Sequence, residues 1–82
     1  MKARVHVFLK PAVLDPQGKA VQQALKTLGF EEVSSVRQGK FFDIETGDLP
    51  GGEDPKGRVE AYCRKLLANP IIEDFRVEVL AP

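Results

Sequence analysis

The 82-residue sequence predicts an α+β fold: a two-layer sandwich with two helices on one face of a small β-sheet, in the order β-α-β-α-β. Polar and apolar residues alternate near both ends of the chain and in its middle, as they do in half-buried strands. Between these strands lie two segments with apolar residues at helical spacing, each opened by an Asp-Pro pair. The sheet has three strands, or four if the middle strand is broken at Gly39.

The first strand and the first helix follow directly from the pattern. Residues Arg4–Lys10 alternate as a strand with one buried face. Asp15 then caps a helix, because its carboxylate accepts the free amide hydrogens of the first turn, and Pro16 has the backbone torsion that the first helical position needs. The helix is predicted to end at about Leu28, where Gly29 suits a left-handed C-terminal cap.

The second half of the chain repeats this scheme. Residues Val33–Thr46 are strand-like, and Gly39 interrupts them, so the segment is one long bent strand, which we favour, or two short ones. The segment Thr46–Glu53 is rich in glycine and proline and predicts a loop. A second helix is expected over Pro55–Ala68 and a last strand over Phe75–Leu80.

The two helix starts share one motif, D-P-x-G, at Asp15–Gly18 and at Asp54–Gly57. Both are interpreted as ordinary helix caps, since aspartate followed by proline is a common helix start. The alternative is that the chain has pseudo-twofold character, with two related strand–helix units.

Size and composition restrict the function. A single domain over residues 1–82 buries about 60–65% of the surface of its unfolded chain, so such a chain often depends on a partner. Its 12 basic and 12 acidic residues give a net charge of zero, which argues against nucleic-acid binding. No apolar run has the length of a membrane span, and a single cysteine excludes an internal disulfide. We expect a cytoplasmic protein that binds no membrane.

No catalytic constellation is visible in the sequence. His6 is the only histidine and lies on the outer strand face, where it lacks an orienting partner. Cys63 is the only cysteine and falls on the apolar stripe of a helix, where it packs as a small hydrophobe. The pair Gly51 and Gly52 lacks the lysine and hydroxyl residue of a phosphate-binding loop, and no metal-ligand cluster is apparent.

Surface residues remain as functional candidates. Val13, Leu14 and Gly18 surround the Asp15 cap without being required by it, which suggests a contact surface. The outer strand face carries Phe8, Phe41 and Leu80 as candidates for a dimer face, or as singly exposed apolar residues of the kind that many monomers show. Pairing of open sheet edges between two copies would protect those edges.

Four motifs carry a resemblance to a known family. They are V-x-V-x-L-K at Val5–Lys10, V-L-D-P-Q-G-x-A-V at Val13–Val21, V-x-x-G-K at Val36–Lys40 and K-L-L-A-N-P-x-I-E-D at Lys65–Asp74. Together they cover nearly the whole chain, which resembles the PurS family, the small subunit of phosphoribosylformylglycinamidine (FGAM) synthase. The chain departs from the family pattern mainly in the segment Thr46–Glu53.

The resemblance implies a non-catalytic assembly subunit of a ligase in purine biosynthesis. A glutaminase subunit, PurQ, would release ammonia, and a large synthetase subunit, PurL, would use ATP and Mg²⁺ to convert formylglycinamide ribonucleotide to FGAM. This chain would bind no cofactor and would join the two subunits as a homodimer or tetramer. The subunit-contact candidates are Lys10, Val13, Leu14, Asp15, Gln17, Gly18, Gly39, Lys40 and Asn69.

Two other functions stay open at this point. One is a regulatory module with a ferredoxin-like sheet that holds a small molecule at a dimer edge near Gly39. The other is an autonomous enzyme that uses His6.

Overall fold

The computed structural model describes residues 1–81, which form a three-stranded antiparallel sheet with strand order β2-β1-β3 and two helices. The elements are β1 (Lys2–Leu9), α1 (Pro16–Thr27), β2 (Gly39–Glu45), α2 (Pro55–Tyr62) and β3 (Glu73–Ala81), with a short 3₁₀ turn at Pro50–Gly52 and a π-helical turn at Cys63–Leu67. The predicted α+β class, the element order and the three strands are confirmed. No helix within this part of the chain has the length and apolarity needed to cross a bilayer.

The core lies between β1 and α2. Val5, at the centre of β1, pairs with Phe42 of β2 and Val77 of β3, and it is completely buried. Val59 of α2 and Cys63 cover the same sheet face and are also completely buried. Burying a side chain of the size of valine contributes about 1.5–3 kcal/mol, so this small cluster holds α2 on the sheet.

The predicted helix starts are confirmed, and so is the end of α1. Asp15 and Asp54 each accept a hydrogen bond from the glycine three residues later, at 2.9 Å and 3.3 Å. Helix α1 ends with Leu28 as its cap, and Gly29 has φ = 103°, a conformation that glycine adopts without strain.

The second helix changes its winding before its predicted end. It is α-helical to Tyr62, and the amide of Ala68 then donates to the carbonyl of Cys63 at 3.0 Å, five residues back, as in a π-helical turn. The wider turn keeps Cys63 in the core and leaves Leu66 on the surface, with 83% of its area exposed.

The predicted middle strand is wrong in its first half. Strand β2 begins at Gly39, opposite Phe8, near the end of β1, so residues 33–38 have no neighbouring strand with which to form a ladder. Gly39 therefore neither bends nor breaks a strand but starts one. It also passes close to β1, since a Cβ at Gly39 would lie 2.7 Å from the carbonyl oxygen of Val7.

Helix α1 departs from the expected two-layer arrangement. Within the described residues only α2 covers the sheet, whereas Gly18 is the single buried residue of α1. Val21 of α1 and the cap residue Leu28 are 40% and 72% exposed. The chain is 53 Å long with a radius of gyration of 16.4 Å, against about 12 Å for a compact domain of this length. Helix α1 therefore projects from the rest of the chain with its apolar stripe uncovered.

Candidate functional site

Three segments meet where β1 ends: residues 9–18, residues 36–40 and residues 69–74. This region, here called the junction, contains every subunit-contact candidate predicted from the sequence, and hydrogen bonds link its three segments. A cleft of about 250 Å³ opens within it, and Asp15, Gln17, Gly39 and Lys40 line that cleft together with Glu73.

Asp15 links the start of α1 to the start of β2. Its side chain is buried, with 4% of the residue exposed, and its two carboxylate oxygens accept from the amides of Gly18 at 2.9 Å and Gln38 at 2.7 Å. These backbone hydrogen bonds, that of Gln38 first, lower the pKa of Asp15. The carboxylate is thus ionised and fully engaged within the chain.

Position 18 requires glycine because helix α1 passes very close to the segment before β2 there. A Cβ at this position would lie 2.3 Å from the carbonyl oxygen of Val36, far inside a normal contact. The equivalent Cβ at Gly57, in the second D-P-x-G motif, would lie 3.5 Å from its nearest neighbour. The two motifs are alike as caps, but only the first also serves as a packing contact.

Arg37 and Gln38 fix the cap loop to the segment before β2, and the sequence reasoning missed both. The guanidinium of Arg37 donates to the carbonyl oxygens of Lys10 and Val13, each at 3.0 Å. The side-chain amide of Gln38 donates to that of Gln17 at 2.8 Å. Their position directly before the predicted contact residues Gly39 and Lys40 was the only signal available in the sequence.

The remaining charged candidates form ion pairs across the junction. The ammonium of Lys10 lies 2.7 Å from the carboxylate of Asp74, and that of Lys40 lies 3.8 Å from Glu73. Asn69 turns the chain ahead of β3: its side chain accepts from the amide of Ile71 at 3.0 Å, and its own amide donates to Glu73 at 2.7 Å. The structure therefore brings Lys10, Lys40 and Asn69 together around the start of β3.

Burial separates the candidates into a scaffold and a surface. Asp15 and Gly18 are buried, and their polar groups are satisfied internally, whereas Leu14 is 64% exposed and Gln17 is also exposed. An exposed leucine on a loop that is held by hydrogen bonds is an apolar surface that a partner could cover. Contact by these residues stays a prediction, with Leu14 as its centre.

The three dimer-face candidates do not form one patch. Phe8 and Phe41 are 39% and 59% exposed and lie near each other on the outer sheet face, where the guanidinium of Arg4 covers the Phe41 ring at 5.1 Å. Leu80 lies at the far end of β3, beside Met1 and the loop after β2. Charged residues occupy the face between them.

A second cleft, of about 430 Å³, lies on the inner side of the sheet beside α2. Ile44 of β2 forms one wall, and Tyr62, Leu66 and Leu67 form the other, so its lining is mainly apolar. The sheet face over β2 is uncovered here, while the apolar stripe of α1 is uncovered elsewhere in the same chain. The spacing of apolar residues in the sequence indicated both apolar surfaces, but it did not indicate that the two lie apart from each other in the folded chain.

The described residues offer no catalytic arrangement. The imidazole of His6 lies 3.8 Å from the carboxylate of Glu78, longer than a hydrogen bond, and no nucleophile adjoins it. Burial raises the pKa of the Cys63 thiol, which keeps it unreactive. Within residues 1–81, no cluster of three or more histidine, cysteine or acidic side chains is placed to hold a metal ion.

The chain is similar to proteins of one family over almost its whole length. The family model described as PurS, phosphoribosylformylglycinamidine (FGAM) synthase, matches residues 2–81. The phosphoribosylformylglycinamidine synthase subunit PurS of Bacillus subtilis is 49% identical over 80 residues, which are 95% of this chain and 90% of that protein. The subunit of the same name from Methanocaldococcus jannaschii is 44% identical over 78 residues, covering 95% and 93%.

Solved structures agree with this similarity. The B. subtilis PurS structure superposes with a TM-score of 0.86 at 45% identity, covering 98% of both chains. A chain of the PurLQS structure from Thermotoga maritima superposes with a TM-score of 0.77 at 26% identity, covering 96% of this chain and 95% of that one.

Proposed function

This chain belongs to the PurS family of FGAM synthase subunits, and we propose that it is the non-catalytic assembly subunit that joins a glutaminase subunit, PurQ, to a synthetase subunit, PurL. The observation that carries the proposal is the family match over residues 2–81. The similarity to a chain of the T. maritima PurLQS structure supports the two partners.

The division of chemistry follows from what the chain contains. Synthesis of FGAM from formylglycinamide ribonucleotide consumes ATP and glutamine, and we assign ATP, Mg²⁺ and glutamine to the partner subunits. The acidic groups of the junction are used internally: Asp15 holds two amides, and Asp74 pairs with Lys10. This chain then contributes surfaces rather than reacting groups. Its place in purine nucleotide synthesis accords with the cytoplasmic location expected from the sequence.

Leu14 is the proposed anchor for a partner subunit. It is 64% exposed, and its loop is held by the hydrogen bonds from Arg37 to the carbonyl oxygens of Lys10 and Val13. Because the loop is already ordered before binding, burial of Leu14 against a partner does not require the further loss of entropy that ordering a loop would cost.

Self-association explains the projecting helix. The apolar stripe of α1 is exposed, and the cleft between β2 and α2 offers a mainly apolar surface that could cover it. We propose that α1 of one copy lies in this cleft of a second copy, and reciprocally, which closes a symmetric dimer.

The regulatory-module alternative gains no support. The cleft beside Gly39 is small, and the charged side chains around it form pairs with one another.

Co-purification with tagged PurL and PurQ, in the presence of ATP, Mg²⁺ and glutamine, tests the assembly role. The chain is expected to join both subunits, and Leu14→Asp to weaken that association while leaving self-association intact. Gln23→Asp, an exposed change on α1, is the matched control and should bind as the unmodified chain does. Failure of the unmodified chain to bind either subunit under these conditions would falsify the proposal.

A further inference from the structure

A second loop of the junction also exposes large apolar side chains. The turn that leads into β3 leaves Ile71 81% exposed and Ile72 39% exposed, beside the loop on which Leu14 is 64% exposed. A single exposed apolar residue is ordinary on a protein surface, whereas adjoining ones form a patch that often meets a partner. This end of the chain therefore offers more apolar surface than Leu14 alone.

Hydrogen bonds fix this turn, as they fix the loop of Leu14. The side chain of Asn69 accepts from the amide of Ile71 at 3.0 Å, and the carbonyl oxygen of Asn69 accepts from the amide of Glu73 at 2.7 Å. The carboxylate of Glu73 accepts from the amide of Asn69 at 2.7 Å and closes the turn. The backbone that carries Ile71 is thus ordered before any partner binds.

Lys10 connects the two loops. Its amide donates to the carbonyl oxygen of Ile72 at 2.9 Å, and its carbonyl oxygen accepts from the amide of Val13 at 2.9 Å. The tips of the loops, residues 11–14 and 70–72, consist of apolar residues only, in a chain of which 29% is charged. The two tips therefore adjoin each other and carry no charge.

The accessible charges around these tips are mainly positive. Four cations have side chains that reach solvent there, and they are Arg37, Arg64, Lys10 and Lys40. Of the three carboxylates in the junction, those of Asp15 and Glu73 are mostly buried and accept backbone amides. The third, that of Asp74, is 44% exposed and pairs with Lys10. A partner at this surface meets more positive than negative charge.

We propose that the two tips form one docking surface, with Leu14 and Ile71 as its anchors, and that this surface binds the glutaminase subunit PurQ. The complementary site is an apolar pocket bounded by carboxylates. The inference rests on the proposed assembly role and adds to it a second anchor and the chemistry of the partner's surface. A second copy of the chain is not the occupant, because it would oppose the same cations to each other.

Substrate chemistry assigns the partner. The synthetase uses ATP and a ribonucleotide, and positive potential around a site draws such anionic substrates to it. Glutamine carries no phosphate, so the surface of the glutaminase is under no such demand and is free to carry carboxylates. A pocket bounded by carboxylates is therefore assigned to PurQ rather than to PurL.

The dependence of the rate on each subunit tests this assignment. Glutamine-dependent synthesis of FGAM is measured against PurQ concentration at fixed PurL and fixed chain, and then against PurL concentration at fixed PurQ. Ile71→Asp and Leu14→Asp should each raise the PurQ concentration for half-maximal rate about tenfold or more, since each places a carboxylate in a pocket bounded by carboxylates. Saturating PurQ should restore the maximal rate, and the half-maximal PurL concentration should stay unchanged.

Charge reversal tests the rim of the surface separately. Arg64→Glu should also raise the half-maximal PurQ concentration, because it removes a cation and adds a carboxylate beside Lys10 and Pro70. The matched control is Lys56→Glu, an exposed charge reversal in the first turn of α2, which should behave as the unmodified chain does. Gln23→Asp serves as the control for the introduced aspartates.

The proposal is overturned if Ile71→Asp leaves the half-maximal PurQ concentration unchanged, if the two aspartate variants change that of PurL instead, or if Arg64→Glu has no effect. Circular dichroism and light scattering check that each variant keeps its fold and its self-association. Ile71→Ala, which removes the anchor without adding a charge, replaces Ile71→Asp if that variant does not fold. If the unmodified chain does not raise the glutamine-dependent rate at all, the assembly role itself fails, and this inference fails with it.

Discussion

Substitution of the two glycines in the D-P-x-G motifs separates packing from capping. Alanine in place of glycine favours a helix by up to about 1 kcal/mol. At Gly57 the new Cβ would lie 3.5 Å from its nearest neighbour, an ordinary contact, so Gly57→Ala should keep or raise the free energy of unfolding within that limit. At Gly18 the new Cβ would lie 2.3 Å from the backbone oxygen of Val36, which cannot rotate away as a side chain could.

Relief of that overlap requires α1 and residues 36–38 to move apart. Overpacking of this kind destabilises by about 1–3 kcal/mol, which exceeds the gain in helix propensity, so Gly18→Ala should lower the free energy of unfolding. Urea unfolding followed by circular dichroism measures both variants, at several protein concentrations because self-association shifts the apparent stability. Equal stability of Gly18→Ala and Gly57→Ala would refute the contact between α1 and the segment before β2.

Two further predictions concern Asp15 and Leu28. Asp15→Asn should destabilise, because one of the amides of Gly18 and Gln38 then meets an NH₂ group instead of an oxygen. Since the pKa of Asp15 is lowered on folding, the stability it provides is present above the ordinary aspartate pKa and is lost as the pH falls through the folded value. The difference between the two proteins in urea unfolding should therefore shrink in acid, and a difference independent of pH would contradict this. Leu28→Asp should halve the mass of the assembly seen by light scattering, because Leu28 is 72% exposed on the stripe that α1 brings to the second copy; an unchanged mass would place α1 elsewhere.

Local signals sufficed for the order of elements and for the helix caps. Asp15 and Asp54 predict helix starts because each caps the amide of a residue only three positions later. Gly29 predicts a helix end because glycine adopts the left-handed conformation of a C-terminal cap without strain. The alternation of Val5 and Val7 likewise identified the first strand, because a strand with one buried face can be recognised from its own sequence.

What depends on distant residues could not be predicted. Residues 33–38 alternate as a strand does, but a strand exists only where a neighbour offers hydrogen bonds, and β1 turns away at Lys10. The stripe of α1 was correctly assigned as apolar, yet periodicity does not say whether the surface it covers belongs to the same chain. The same limit applied to the junction: the spacing of the motifs did not show that Gln38 supplies the second amide to Asp15.

Glutamine-dependent and ammonia-dependent synthesis of FGAM, measured with PurL and PurQ in the presence and absence of this chain, tests the assembly role most directly. A subunit that joins the glutaminase to the synthetase should be needed for the glutamine-dependent rate. Free ammonia supplied directly to PurL does not depend on that contact between subunits. We expect the chain to raise the glutamine-dependent rate strongly and to leave the ammonia-dependent rate nearly unchanged. An equal effect on both rates, or no effect on either, would contradict the assembly role.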